Sequence, residues 1–169
     1  MRDGYVSPAV AGTVRVCCDR MEAHDWSGRV YIRYRDGSVD FQDAVSLLDI
    51  LEKSCDWLNY PQCSVKDRSF YDGSPGAKRQ HMRRPGRRGD RVAVMRQEKI
   101  DEKYGEKATF VVKIQYRQNA TWQGQVTWAE KNRTVNFRSA LELLKLIDGT
   151  MEKENEDWNP SSEGSVYME

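Results

Sequence analysis

The chain repeats itself, and this constrains its fold more than any other feature. Slid along itself by 96 residues, the separation of Trp26 and Trp122, it matches without a gap. Trp26, Gly28 and Val30 fall on Trp122, Gly124 and Val126, and Val39 and Phe41 fall on Val135 and Phe137. Ala44, Leu47 and Leu48 fall on Ala140, Leu143 and Leu144, while Thr13 and Val16 fall on Thr109 and Val112. Self-similarity at one fixed spacing means one structural unit used twice.

Periodicity within the copies says what the unit is. Phe110, Val112, Ile114 and Tyr116 alternate with more polar neighbours, and Trp122, Gly124, Val126 and Trp128 do so again after Gln118-Asn119-Ala120. This period of two marks half-buried strands joined as a hairpin. A short strand at 133–137 follows the turn Glu130-Lys131-Asn132. Phe137, Ala140, Leu143, Leu144, Ile147 and Met151 then recur at three- and four-residue steps, the stripe of a helix on a sheet, with Asn136 or Ser139 placed to cap it. The first copy spells the same plan: Val14, Val16 and Cys18; then Trp26 to Tyr34; a turn at Asp36-Gly37; Val39 to Phe41; and a helix carrying Leu47, Leu51, Cys55 and Leu58. Three strands and one helix bury little alone. The expectation is therefore an α+β fold of tandem β-β-β-α repeats packed with pseudo-twofold symmetry, the helices on one side of antiparallel sheets. Gly28 and Gly124 sit mid-strand, where glycine marks a bulge, a bend or a close backbone approach. Trp26, Trp122 and Trp128 share a face with the valines and belong to the core.

Composition divides the chain further. The copies occupy 9–70 and 107–151. Between them, 71–106 reads as a basic flexible linker, with Lys78, Arg79, Arg83, Arg84, Arg87, Arg88 and Arg91 set against the single acid Asp90 over 78–91. Residues 152–169 read as an acidic disordered tail. The 27 basic and 26 acidic side chains of the whole chain nearly cancel, which argues against a simple polycation or polyanion. No leader-like apolar run follows Met1-Arg2, and no stretch is apolar enough to cross a membrane, so a cytoplasmic protein is expected. That expectation also empties Arg88-Gly-Asp90, and the glycosylation triplets at Asn119 and Asn132, of meaning. Cys17, Cys18, Cys55 and Cys63 form no C-x-x-C pair, and His24 and His81 are too few to complete a zinc site. The thiols read as reduced and structural.

No nucleophile motif, phosphate-cradling glycine loop or helical H-E-x-x-H is present, so neither an enzyme nor a cofactor is expected. The informative surface is the sheet face away from the helices. Alternation places Arg15, Arg29, Tyr31, Arg33 and Arg35 there in the first copy, and Lys113, Gln115, Arg117, Gln123, Gln125 and Thr127 in the second. Guanidinium groups interleaved with an aromatic ring suit single-stranded DNA or RNA, cations meeting phosphates while the ring stacks on a base. Arg83, Arg84, Arg87 and Arg88 of the linker, with Lys78 and Arg79, would add phosphate contacts. An exposed sheet also carries charged side chains simply because water wets it.

Gln115–Gly124, Asn136–Asp148, Tyr60–Cys63 and Arg68–Phe70 resemble segments of a group of small bacterial proteins of unassigned activity. In plan, the duplicated sheet-then-helix unit is similar to Pur-repeat and Whirly-type proteins, which bind single-stranded nucleic acid on sheets of four strands per unit, against three here. That resemblance implies a non-catalytic single-stranded nucleic-acid-binding module. The rival reading is a protein-interaction or self-association module acting through exposed strand edges. A small-ligand sensor using the groove between the helices is a third.

Overall fold

The computed structural model describes residues 12–22, 25–63, 70, 97–119 and 121–156, with side chains as far as residue 150. The basic run Lys78–Arg91 and residues 157–169 of the acidic tail lie outside the described residues. In chain order the elements are β1 (Thr13–Glu22), β2 (Asp25–Ile32), β3 (Ser38–Phe41), α1 (Ala44–Leu58), α2 (Gln97–Asp101), β4 (Ala108–Tyr116), β5 (Gln123–Trp128), β6 (Arg133–Phe137) and α3 (Ala140–Glu156). The protein is α+β. All six strands form one antiparallel sheet in the order β3-β2-β1-β4-β5-β6.

The two strand triplets are thus halves of a single sheet, joined where β1 pairs with β4. Pairing these inner strands satisfies backbone groups that each triplet alone would leave open at an edge. Val14 faces Val112, Val16 faces Phe110, and Arg15 faces Val111, 96 residues on. Register within the halves also corresponds: Gly28 faces Phe41 and Val30 faces Val39, as Gly124 faces Phe137 and Val126 faces Val135. The ladder shifts between Cys18 and Arg20 in β1 and between Ile114 and Tyr116 in β4, again at matching positions. The mid-strand glycines meet close backbone next to these bulges. A Cβ on Gly28 would lie 2.0 Å from the Cys17 carbonyl oxygen, and one on Gly124 would lie 2.1 Å from that of Lys113.

Both long helices start on side-chain caps. Asp43 accepts from the Ser46 amide at 2.6 Å while Ser46 Oγ accepts from the Asp43 amide at 3.0 Å, a reciprocal box that opens α1. For α3, the expected Ser139 accepts from the Glu142 amide at 3.0 Å, and Glu142 reaches back to the Arg138 amide at 2.7 Å. Asn59, in the left-handed region at φ 52°, ends α1. Leu47 and Leu51 of α1 and Leu143 and Ile147 of α3 enter one core with Val16, Val30, Phe110, Val112 and Val126. Trp26 is buried in that core, whereas Trp122 and Trp128 pack against it half-buried. The cysteines are free thiols. Burial pushes Cys18 up to about 12 and Cys55 up to about 11.

Candidate functional site

Alternation along β1 and β2 turns Arg15, Arg29 and Tyr31 to the face away from α1 and α3, as expected, and Cys17 lies there with them. What the pattern did not reveal is that residues 97–107 lie across this face. Ile100 of α2 forms a small apolar cluster with Cys17 and Tyr31, and Tyr31 is only 7% exposed. Past α2 the chain runs close along β1: the Lys107 amide donates to the Cys18 carbonyl at 3.0 Å and the Gly105 amide donates to Thr109 Oγ1 at 2.9 Å. A Cβ on Gly105 would stand 2.4 Å from the Cys18 carbonyl oxygen, so glycine is what lets this strap lie down.

Two of the cations expected to meet phosphate, Arg15 and Arg29, are engaged by other groups of the protein. Arg15 is 6% exposed; its Nε donates to the Lys103 carbonyl, its Nη1 lies 3.8 Å from Asp101, and its guanidinium sits 4.7 Å from the Tyr104 ring centre. Its Nη2 is buried without a hydrogen-bond partner. Arg29 forms a two-pronged pair with Asp19, both bonds at 2.8 Å, and adds bonds to the Tyr31 hydroxyl and the Tyr104 carbonyl. Hydrogen bonding to Arg29, aided by the Glu106 amide, holds the Asp19 carboxyl below its ordinary value. Arg29 is raised in turn by that bond.

Arg117 is not on the face at all. It is 2% exposed, donates from Nε to the Pro61 carbonyl at 2.8 Å and from Nη1 to Asp56 at 2.7 Å, and pairs with Cys63 through an isolated bridge. It clamps the end of the first half to the start of the β4–β5 turn. The expectation of a face open across both copies is therefore corrected for Arg15, Tyr31 and Arg117, which are buried, and for Arg29, which is paired. Arg33 is half-buried with Nε unpartnered, and Arg35 is exposed in the β2–β3 turn. Lys113 stays on the second half of the face beside Gln125, where Thr127 and Thr134 share a hydroxyl bond at 2.8 Å. Lys78, Arg79, Arg83, Arg84, Arg87 and Arg88 lie outside the described residues.

Sequence reading missed Asp19, Asp101 and the Lys103–Gly105 backbone. The available signals were Ile100, the lone aliphatic residue of a five-residue helix, and Gly105 just ahead of a strand. Among the described residues, no group of three or more His, Cys, Asp or Glu side chains is placed to hold a metal. None of the described helices is long and apolar enough to cross a membrane. The outermost strands remain: among the described residues, β3 pairs only with β2, and β6 only with β5. Ser38 and Thr134, at matching positions on these edges, are both exposed, as are Val45 and Leu141 at the second residue of the helix that follows each. No family model, curated protein or solved structure matches the chain.

Proposed function

We propose that this chain is a non-catalytic binding module made of two tandem β-β-β-α copies, related by a pseudo-twofold axis at the Arg15–Val111 pair. Each copy offers its outer strand, β3 or β6, to an extended segment of a partner protein. The observation that carries this reading is the division of the surface. Arg15, Arg29 and Tyr31 are spent on internal contacts, while both edge strands keep a row of backbone donors and acceptors that no described strand pairs. An incoming strand would gain main-chain hydrogen bonds there, and exposed Val45 or Leu141 beyond the edge would offer it apolar contact. Duplication makes the module bivalent, so a partner with two such segments would bind far more tightly than one.

The test is a library of short displayed peptides panned over the full chain. Enriched sequences are expected to alternate β-branched residues and to lose binding with Ser38→Lys and Thr134→Lys together, since edge lysines oppose strand addition without touching the core. Their affinity is expected to change by less than about threefold between ~50 and ~200 mM salt. Failure to enrich any such peptide, or enrichment indifferent to both lysines, contradicts the reading.

Single-stranded nucleic acid is the second reading. It is favoured by the seven cations against one acid over 78–91, with Arg35 and Lys113 as further contacts. It predicts labelled oligonucleotide binding that falls steeply over the same salt range through counterion release. Tyr31→Ala would weaken that binding only if the strap lifts.

A further inference from the structure

We propose that the chain binds a small aromatic carboxylate in a cavity between α3 and strands β4, β5 and β6. The cavity measures about 220 Å³ and is open to solvent on one side. Phe110, Val126, Trp128 and Leu146 give it an apolar wall, and Arg133 and Lys145, both exposed, also line it. Gly149 of α3 leaves space beside it, because a Cβ built there meets nothing within 4 Å.

The first half of the chain indicates what fits. At the corresponding place Tyr34 packs against the core, stacks on Trp57 with ring centres 3.8 Å apart, and donates its hydroxyl to the Ser54 carbonyl at 2.7 Å. Ser54 corresponds to Thr150, and the two make the same bond, Ser54 Oγ to the Leu51 carbonyl and Thr150 Oγ1 to the Ile147 carbonyl. The helices are therefore in equivalent register at this level. The counterpart of Tyr34 is Glu130, and its carboxylate turns away to accept from the Thr109 amide at 3.0 Å. One half carries its own aromatic plug, and the other has an empty space lined for one. This correspondence rests on the tandem reading and is independent of the strand-edge reading.

Size and charge narrow the ligand. An apolar cavity of ~150 Å³ takes a benzene ring, so this one has room for a ring with a short arm. Lys131 adds a third cation, its Nζ 5.8 Å from the Trp128 ring centre. Among the described residues no ion pair engages Arg133, Lys145 or Lys131, so an acidic arm at the mouth would meet uncompensated positive charge.

Calorimetric titration of the full chain with 4-hydroxyphenylacetate, and with its neutral amide, tests this. Saturable one-to-one binding of the acid is expected, with the amide at least about tenfold weaker. Lys145→Glu should cut the affinity for the acid by about tenfold and leave that for the amide alone. Gly149→Leu should abolish both while the thermal midpoint holds or rises, as the leucine fills the space. No saturable heat, equal affinity for acid and amide, or binding that survives Gly149→Leu overturns the proposal. Should Gly149→Leu fail to fold, the Lys145→Glu comparison decides, because a merely structural effect would weaken acid and amide alike. A loss of peptide binding in the edge-lysine variants with ligand heat unchanged separates this site from the strand edges.

Discussion

A few residues set the limits of what each half tolerates. Gly28 and Gly124 admit no Cβ, because the facing carbonyl is backbone and cannot rotate away. Gly28→Ala and Gly124→Ala are each expected to cost roughly 3 kcal/mol or more, since the strand must separate to fit one methyl group. Gly149→Ala has open space and a helical position, so it should instead add about 0.5–1 kcal/mol. Urea denaturation of the three variants checks the contrast, and equal effects would contradict the packing described. Asp19 makes a second residue-scale case. Its folded value is lowered by Arg29 and the Glu106 amide, so its contribution is fully present above the ordinary aspartate value of 3.8 and is lost as pH falls below it. Asp19→Asn should therefore be less stable than the parent at neutral pH and should lose less stability on acidification. A stability series from about pH 7 to about pH 2 gives the comparison.

At the scale of elements, much was legible because periodicity reports burial. The alternation of Phe110, Val112 and Ile114 gave β4, the change to three- and four-residue steps after Phe137 gave α3, and Ser139 marked its start. Local pattern cannot show what a neighbouring segment covers, and this is why the strap went unseen. Arg15, Arg29 and Tyr31 alternate outward as an exposed face would, and only the tertiary fold lays 97–107 upon them. Arg117 misled for a different reason: its position follows strand alternation, but the β4 bulge after Ile114 shifts the phase, and its guanidinium bonds to Asp56 and Pro61. The strap is held by one apolar side chain and a handful of polar bonds, so it belongs to the weakly held parts of the molecule. Ile100→Ser is expected to speed amide exchange at Gly105 and Lys107 by at least about tenfold while moving the global midpoint little. Exchange that accelerates across β1 and β4 as well would mean that the strap is part of the core.

For the whole molecule, two strand triplets close into one sheet over one interior, and the proposed partner contacts fall on its two outer strands. β1 and β4 lie at the centre, each flanked on both sides, and their core-facing residues meet Leu47, Leu51, Leu143 and Ile147 of both helices in one cluster. Breaking either half should therefore unfold the other, as is usual for small domains with a single core. Residue-resolved hydrogen exchange on the full free chain tests this most directly. The slowest amides are predicted to fall in β1 and β4 and to share one opening free energy, with faster exchange in β3 and β6. Two separate opening free energies, one for β1 to β3 and another for β4 to β6, would contradict it.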